Sequence, residues 1–141
     1  MSDVEKAAGR TVSYPLRFVL TADAVWDAVV GVVFCLASSR MLAGWAWFPA
    51  LRPWPLFVII GVGCLVFAVV LARGVRDPNA AQFARLVAIG NAAAAVIAGL
   101  AAVLLAGPAT RTAITLAIVA VGCAVFAVLE WLLSGRMNEA G

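Results

Sequence analysis

Four long runs of apolar residues dominate the chain, and short polar or proline-containing segments separate them. The runs cover residues 18–37, 54–72, 86–106 and 113–133. A helix that spans a bilayer needs about 20 mostly apolar residues, because each residue adds about 1.5 Å along the axis. Each run meets this requirement, so the pattern predicts an all-α membrane protein with a bundle of four transmembrane helices.

The polar segments divide the chain into three parts. Residues 1–14 are predicted to be a polar N-terminal tail, 15–134 the transmembrane domain and 135–141 a C-terminal tail. Asp77-Pro78 is expected to cap the third helix, and Gly107-Pro108 to end it.

Basic residues are distributed unequally between the two sides of the predicted bundle. The side that holds both termini carries Lys6, Arg10, Arg17, Arg73, Arg76, Arg85 and Arg136, and the other side carries Arg40, Arg52 and Arg111. Short cytoplasmic loops of membrane proteins are enriched in Lys and Arg. We therefore expect both termini to be cytoplasmic, in the cytoplasmic (inner) membrane of a bacterium.

The second half of the chain resembles the first. Residues 62–69 (VGCLVFAV) and 121–128 (VGCAVFAV) differ at one position. Looser matches between the first and third helices pair Arg17 with Arg85, Asp23 with Asn91, Ala24 with Ala92 and Gly31 with Gly99. This predicts a duplicated two-helix repeat, 15–74 and 77–134, with a pseudo-twofold axis along the membrane normal.

The composition narrows the range of partners and cofactors. Hydrophobic residues make up 65% of the chain and charged residues 12%, whereas soluble domains carry about 25% charge. The net charge is only +3, and there is no histidine. We therefore expect the lipid bilayer as a partner, no nucleic acid, and neither a metal nor another cofactor. Cys35, Cys64 and Cys123 each stand alone in an apolar run, which is typical of buried small side chains.

Two other segments predict contacts without fixing a function. Small residues follow one another at helical spacing in the third helix, which predicts close packing against neighbouring helices or a second protomer, and thus a possible homo-oligomer: Gly90, Ala94, Ala98 and Ala102. The segment 45–54 is rich in tryptophan. It is either an anchor in the headgroup region or a lid over a cavity.

Asp23 and Asp27 are the most informative residues of the sequence. They are four positions apart, so both project from one face of the first helix. Asp27 is expected about 14 Å inside the hydrocarbon, near the midplane. A carboxylate at this depth costs about 3 kcal/mol even on the lenient insertion scale, and such residues are usually functional. We predict that Asp23 and Asp27 are catalytic and that one of them keeps a proton near neutral pH.

Five further residues are predicted to bind or orient the substrate: Asn91, Arg17, Arg85, Glu130 and Trp26. Asn91 is equivalent to Asp23 in the repeat, so the two should lie at similar depth. Glu130 is expected near the cytoplasmic end of the fourth helix, at the height of Arg17 and Arg85. Those three residues would then form an ordinary interfacial network.

Three functions are compatible with these residues. The first is an intramembrane acid/base enzyme that acts on a lipophilic small molecule by proton-initiated cyclisation, isomerisation or epoxide opening. The second is a small proton-coupled transporter. The third is a structural or accessory subunit of a membrane assembly, whose polar residues fix the helix register.

The polar positions also resemble those of a known group of proteins. Leu16-Arg17, Asp23-Ala24 and Asn91-Ala92 in a duplicated four-span layout are similar to a group of small actinobacterial integral membrane proteins of unassigned function. Many members of this group have an aromatic residue soon after the asparagine, where this chain has Ala93 and Ala94. The resemblance implies the four-span topology and adds no chemistry.

Overall fold

The apolar runs form four α-helices in the part of the chain that the structure describes. The structure is a computed structural model, and it describes residues 14–38, 54–77, 79–106 and 110–139. The helices are α1 (Tyr14–Ser38), α2 (Trp54–Gly74), α3 (Ala80–Leu104) and α4 (Thr110–Glu139). Each is long and apolar enough to cross a membrane. The prediction of an all-helical, multi-pass membrane chain is confirmed for these residues.

The helix ends differ from the predicted spans because helices continue beyond their apolar parts. The third helix begins at Ala80 and its N-cap position is Asn79, whose side chain makes no capping hydrogen bond. The helix therefore begins just after the Asp77-Pro78 pair that was expected to cap it. Asp77 Oδ1 accepts a hydrogen bond from the Asn79 N–H at 2.7 Å, one step before the helix. The fourth helix continues to Glu139, into the segment predicted as a tail.

Two predictions concern residues that lie outside the described ranges. Gly107-Pro108, expected to end the third helix, falls in the gap between α3 and α4, and α3 itself ends earlier, at Leu104. The tryptophan-rich segment also falls outside them, except that Trp54 begins α2.

One face of α1 is buried along the whole length of the helix. Seven of its buried residues follow one another at spacings of four and three: Leu16, Leu20, Asp23, Asp27, Val30, Phe34 and Ala37. This is the spacing of side chains that pack between nearly parallel helices in left-handed bundles. The two aspartates occupy positions where a soluble bundle would have leucine or isoleucine.

The helices form two hairpins that meet along α1. The first hairpin packs α1 against α2, the second packs α3 against α4, and α1 also contacts α3 and α4. Two apolar clusters fill the interior. The Leu20 cluster consists of Leu16, Leu20, Ala24, Leu71, Ala84 and Val87. The Phe34 cluster, toward the opposite end of the bundle, consists of Val30, Phe34, Ala37, Phe57, Ala102 and Leu116.

The outer surface of the bundle is apolar. Large hydrophobic side chains are more than half exposed on every helix, among them Val25, Ile59, Ile97 and Ile118. In water such a surface would cause aggregation, whereas lipid tails solvate it. The exterior therefore matches a hydrocarbon environment, and the polar side chains lie inside.

Glycines allow α1 and α2 to approach closely. A Cβ atom added at Gly31 would lie 2.8 Å from the backbone oxygen of Gly61, and one added at Gly61 would lie 2.8 Å from the backbone oxygen of Gly31. Because both obstacles are backbone atoms, rotamer changes cannot relieve them. Small residues at helix contacts are a main source of packing energy inside membranes, where water provides no driving force between helices.

The close approach predicts a selective cost for larger side chains. We expect Gly31→Val to destabilise the protein by about 1–3 kcal/mol, as overpacking does elsewhere. Gly63→Val is the matched control, since a Cβ at Gly63 meets nothing within 4 Å. Thermal unfolding in detergent, followed by circular dichroism, measures the difference. Equal stability of the two variants would contradict the close approach.

Candidate functional site

Four polar side chains form a layer between the two apolar clusters. Asp23 and Asp27 come from α1, Asn91 from α3 and Glu130 from α4, and their exposed fractions are 0%, 6%, 3% and 0%. In every case the nearest buried neighbours along the same helix are apolar or small. We refer to these four residues as the polar layer. The second helix contributes no carboxyl or amide group to it.

Asn91 is the hydrogen-bond donor at the centre of the polar layer. Its Nδ2 atom donates to Asp23 Oδ2 at 2.8 Å and to Glu130 Oε2 at 3.2 Å. The amide thus connects the first hairpin to the second. A carboxyl group in a medium without water needs such a donor, because an unpaired buried polar group costs about 1–3 kcal/mol.

Asp23 Oδ2 and Glu130 Oε2 accept hydrogen bonds from the same Asn91 nitrogen, so the two carboxyl groups lie close together. Two ionised carboxylates this close repel each other, which favours a proton on one of the two groups. Asp27 interacts electrostatically with both. Three ionised carboxyl groups in one buried layer would add mutual repulsion to the cost of burying each charge. This crowding favours a layer in which at least one carboxyl group stays protonated.

The polar layer has unused hydrogen-bonding capacity. Among the described residues, no N–H or hydroxyl group donates to Asp23 Oδ1, Asp27 Oδ2 or Glu130 Oε1. Buried polar atoms of native proteins are nearly always paired. If the acids served only to hold the helices together, unpaired oxygen atoms on all three of them would not be needed.

Glu130 lies deeper than the sequence suggested. It was expected at the height of Arg17 and Arg85, but it is completely buried and bonded to Asn91. The reason is the direction of helical side chains, which lean toward the N-terminus of their own helix. The N-terminus of α4 is at the far end of the bundle, so the long Glu130 side chain leans back toward the midplane. The expected interfacial position of this residue is therefore wrong.

Arg17 and Arg85 lie at corresponding positions of α1 and α3, and neither takes part in the hydrogen bonds that Asn91 donates. Arg17 is exposed, and its backbone oxygen accepts a hydrogen bond from Thr21 Oγ1 at 2.8 Å. Arg85 is half-buried on α3. Each precedes its polar-layer residue, Asp23 or Asn91, by less than two helical turns.

Two cysteines border the polar layer. The thiol of Cys64 on α2 interacts electrostatically with Asp27, and that of Cys123 on α4 interacts with both Asp27 and Asp23. Sequence reasoning treated each cysteine as an isolated apolar side chain. The spacing of Cys123, Ala127, Glu130 and Ser134 is a signal that could have placed this thiol beside the acid, since all four are buried on one face. No group of metal-ligating side chains was found among the described residues.

Trp26 lies beside the polar layer, between α1 and α4. A Cβ atom added at Gly122 would lie 2.6 Å from Trp26 Cε2, so the indole rests directly on this glycine. The ring of Phe126 is 6.5 Å away, between centroids, at 44°. The Trp26 Nε1 atom is buried and lies beside the Cys123 thiol on α4. Only a residue without a side chain at 122 leaves room for the indole.

A groove of about 640 Å³ extends from Trp26 toward the end of the bundle where α4 begins. The first helix contributes Val29, Val30, Val33 and Phe34, and the fourth contributes Arg111, Ile114, Thr115, Ile118 and Val119. Val29, Ile114 and Ile118 are more than half exposed, so the groove opens toward lipid. The acids do not line it. The groove meets the polar layer only at Trp26, which lies between Asp23 and Asp27 along α1.

No protein-family model matches the chain, and no curated protein or solved structure matches it. The geometry of the polar layer and the groove is therefore the basis for any functional assignment.

The hydrogen bonds of Asn91 predict a large cost for removing its amide. We expect Asn91→Leu to destabilise the protein by about 2–4 kcal/mol, because Asp23 Oδ2 and Glu130 Oε2 each lose a donor at about 1–3 kcal/mol. Ser134→Ala is the matched control. Ser134 is equally buried, but its hydroxyl bonds only to Trp131 O on the same helix. Unfolding by dodecyl sulfate titration in mixed micelles gives both free energies.

A double-mutant cycle makes the test specific to the contact. In a protein that already carries Asp23→Leu, the additional cost of Asn91→Leu should be smaller than in the wild type. Equal costs in the two backgrounds, or a cost no larger than that of Ser134→Ala, would contradict the contact.

Proposed function

We propose that the protein is an intramembrane acid/base enzyme that acts on a lipophilic small molecule. The reaction is a proton-initiated cyclisation, an isomerisation or the opening of an epoxide. One observation carries the proposal: a buried layer of three carboxyl groups and an amide adjoins the inner end of an apolar groove that is open to lipid. The groove holds the apolar body of the substrate, and the polar layer supplies the proton.

The chemistry requires only the carboxyl groups of the chain. An aspartic acid donates its proton to an alkene carbon or an epoxide oxygen, and positive charge develops on the substrate. In an isomerisation or cyclisation the cation then loses a proton to a carboxylate, which restores the proton count of the polar layer. In epoxide opening, water adds to the carbon and its proton returns to a carboxylate. Positioned acids and bases contribute about 10²–10⁴-fold to such steps.

The positions of the two aspartates favour different roles. Asp27 is one turn closer than Asp23 to the groove end of the bundle, and its Oδ2 lacks a donor within the described ranges. We assign Asp27 as the acid that meets the substrate. Asp23, held by Asn91 beside Glu130, accepts the returning proton. Trp26 separates the two compartments and has to shift its indole to admit the reacting group.

A second function is favoured by a specific observation. The acids are almost completely buried and do not line the groove, which suits an accessory subunit whose polar residues fix the register of its helices. This alternative explains the bonds of Asn91. It leaves unexplained the unpaired oxygens on Asp27 and Glu130 and the groove that ends at Trp26.

The finer topology also belongs to this proposal. We infer a duplicated hairpin with the start of α1 and the end of α4 on the cytoplasmic side of a bacterial inner membrane, in agreement with the distribution of Lys and Arg. The hydrogen bond between Asp23 and Asn91 supports the duplication, because these residues occupy equivalent places in the two repeats. The resemblance to small actinobacterial membrane proteins stays a proposal of the same kind.

The enzyme proposal predicts that a single amide substitution abolishes turnover. Asp27→Asn should lower conversion at least about 100-fold, because the amide cannot donate a proton as an acid. Membranes that contain wild-type or variant protein are incubated in deuterated water with isoprenoid alkenes and their epoxides. Mass spectrometry then detects products and incorporated deuterium.

Two comparisons distinguish the enzyme hypothesis from the accessory-subunit hypothesis. Ser134→Ala, which leaves the polar layer intact, should retain the wild-type product profile. Asp27→Asn should retain the thermal stability of the wild type, since the amide is nearly isosteric with the acid. Identical profiles of wild type and Asp27→Asn would contradict the proposed activity.

A further inference from the structure

The two ends of the groove between α1 and α4 differ in chemical character. Trp26 lies at its inner end, near the middle of the bundle, and Arg111 lies at its outer end, in the first turn of α4. Between Arg111 and Gly122, which contacts the indole, α4 rises by about 16 Å. The side chains between these ends are almost entirely aliphatic or aromatic.

The outer end of the groove carries a positive charge. Arg111 is exposed and lines the groove, and its position at the start of a membrane-spanning helix places it at headgroup level. The guanidinium group is always charged and presents several N–H donors, so it suits a phosphate or a carboxylate. The N-terminus of the helix adds to the preference for negative charge.

From this difference between the two ends we infer that the groove binds a single-chain lipid with an anionic headgroup. The headgroup contacts Arg111, and an isoprenoid or alkyl chain of about farnesyl length follows the groove to Trp26. The inference rests on the proposed function and names the class of its substrate. The far end of the chain, rather than the headgroup, would then be presented to Asp27.

The size of the groove favours one chain over two. Its volume of about 640 Å³ lies within the range of about 300–1,000 Å³ for sites that hold one small molecule. A membrane phospholipid with two acyl chains exceeds this volume. A ligand with a single chain also matches Arg111, which is the one charged side chain among the described residues that line the groove.

Equilibrium binding of radiolabelled farnesyl phosphate tests the inference. The full chain is reconstituted in phosphatidylcholine nanodiscs. We expect saturable binding with one site per chain, and Arg111→Gln should weaken it about tenfold or more, as expected for the loss of a charge-assisted hydrogen bond. Binding of uncharged farnesol should be the same in wild type and Arg111→Gln.

A pair of substitutions tests the position of the chain. Ile118→Trp places a large side chain in the groove and should abolish binding of farnesyl phosphate and farnesol. Val121→Trp is the matched control: Val121 is exposed on the same helix but does not line the groove, so this variant should bind as the wild type does. Unchanged binding in Ile118→Trp would overturn the inference.

Competition experiments distinguish the anionic molecules that could occupy the Arg111 end of the groove. Inorganic phosphate alone should not displace farnesyl phosphate, because the chain provides most of the contact. Displacement by phosphate would assign a simple anion site at Arg111 and overturn the inference. Displacement by equimolar phosphatidylglycerol would show an ordinary annular lipid site, which also overturns it.

The binding proposal and the enzyme proposal can be refuted independently of each other. Asp27→Asn should bind farnesyl phosphate like the wild type, because Asp27 does not line the groove. If binding behaves as expected and no substrate is turned over, the ligand class stands and the proposed enzyme does not. If Asp27-dependent turnover occurs in Ile118→Trp, the enzyme stands and the groove is not its substrate site.

Discussion

The hydrogen bond that Asn91 donates to Asp23 connects the two hairpins at the middle of the bundle, and its bond to Glu130 joins α3 to α4 at the same place. Lipid offers no alternative partners for these groups, so separating the hairpins would leave carboxyl oxygens bare in hydrocarbon. The contact therefore fixes the register of α3 and α4 against α1. The apolar clusters on either side pack around this register, and the Gly31–Gly61 contact holds α2 to the same unit.

The polar layer and the groove are complementary in what they provide. The layer holds carboxyl groups in a closed space, where electrostatic interactions are strong because water is excluded. The groove holds apolar material and is open to the bilayer. Among the described residues that line the groove, Trp26 is the one beside the polar layer, because its helix position lies between the two aspartates. A reaction on a lipophilic molecule needs these two environments in contact, and a structural clamp needs only the first.

Much of this arrangement could be predicted from the sequence. The length of the apolar runs predicted the four helices. The four-residue spacing of Asp23 and Asp27 predicted that both lie on one face of the first helix. The predicted repeat put Asp23 and Asn91 at similar depth, but their direct hydrogen bond was not predicted. The depth of Glu130 was missed, because position along a helix does not show how far a long side chain leans. The groove was missed as well, since it depends on how α1 and α4 are arranged. The role of Gly122 was not predicted either, because it depends on the contact of this glycine with Trp26.

Infrared spectroscopy of the carboxyl groups tests the central claim, that the polar layer keeps at least one carboxyl group protonated at neutral pH. Hydrated membranes containing the wild-type protein should show the carbonyl stretch of a protonated carboxylic acid, shifted to lower frequency in deuterated water. The band should weaken in Asp23→Asn and again in the double variant Asp23→Asn/Glu130→Gln, whereas Ser134→Ala should leave it unchanged. A wild-type spectrum at neutral pH with only ionised carboxylate bands would contradict the account.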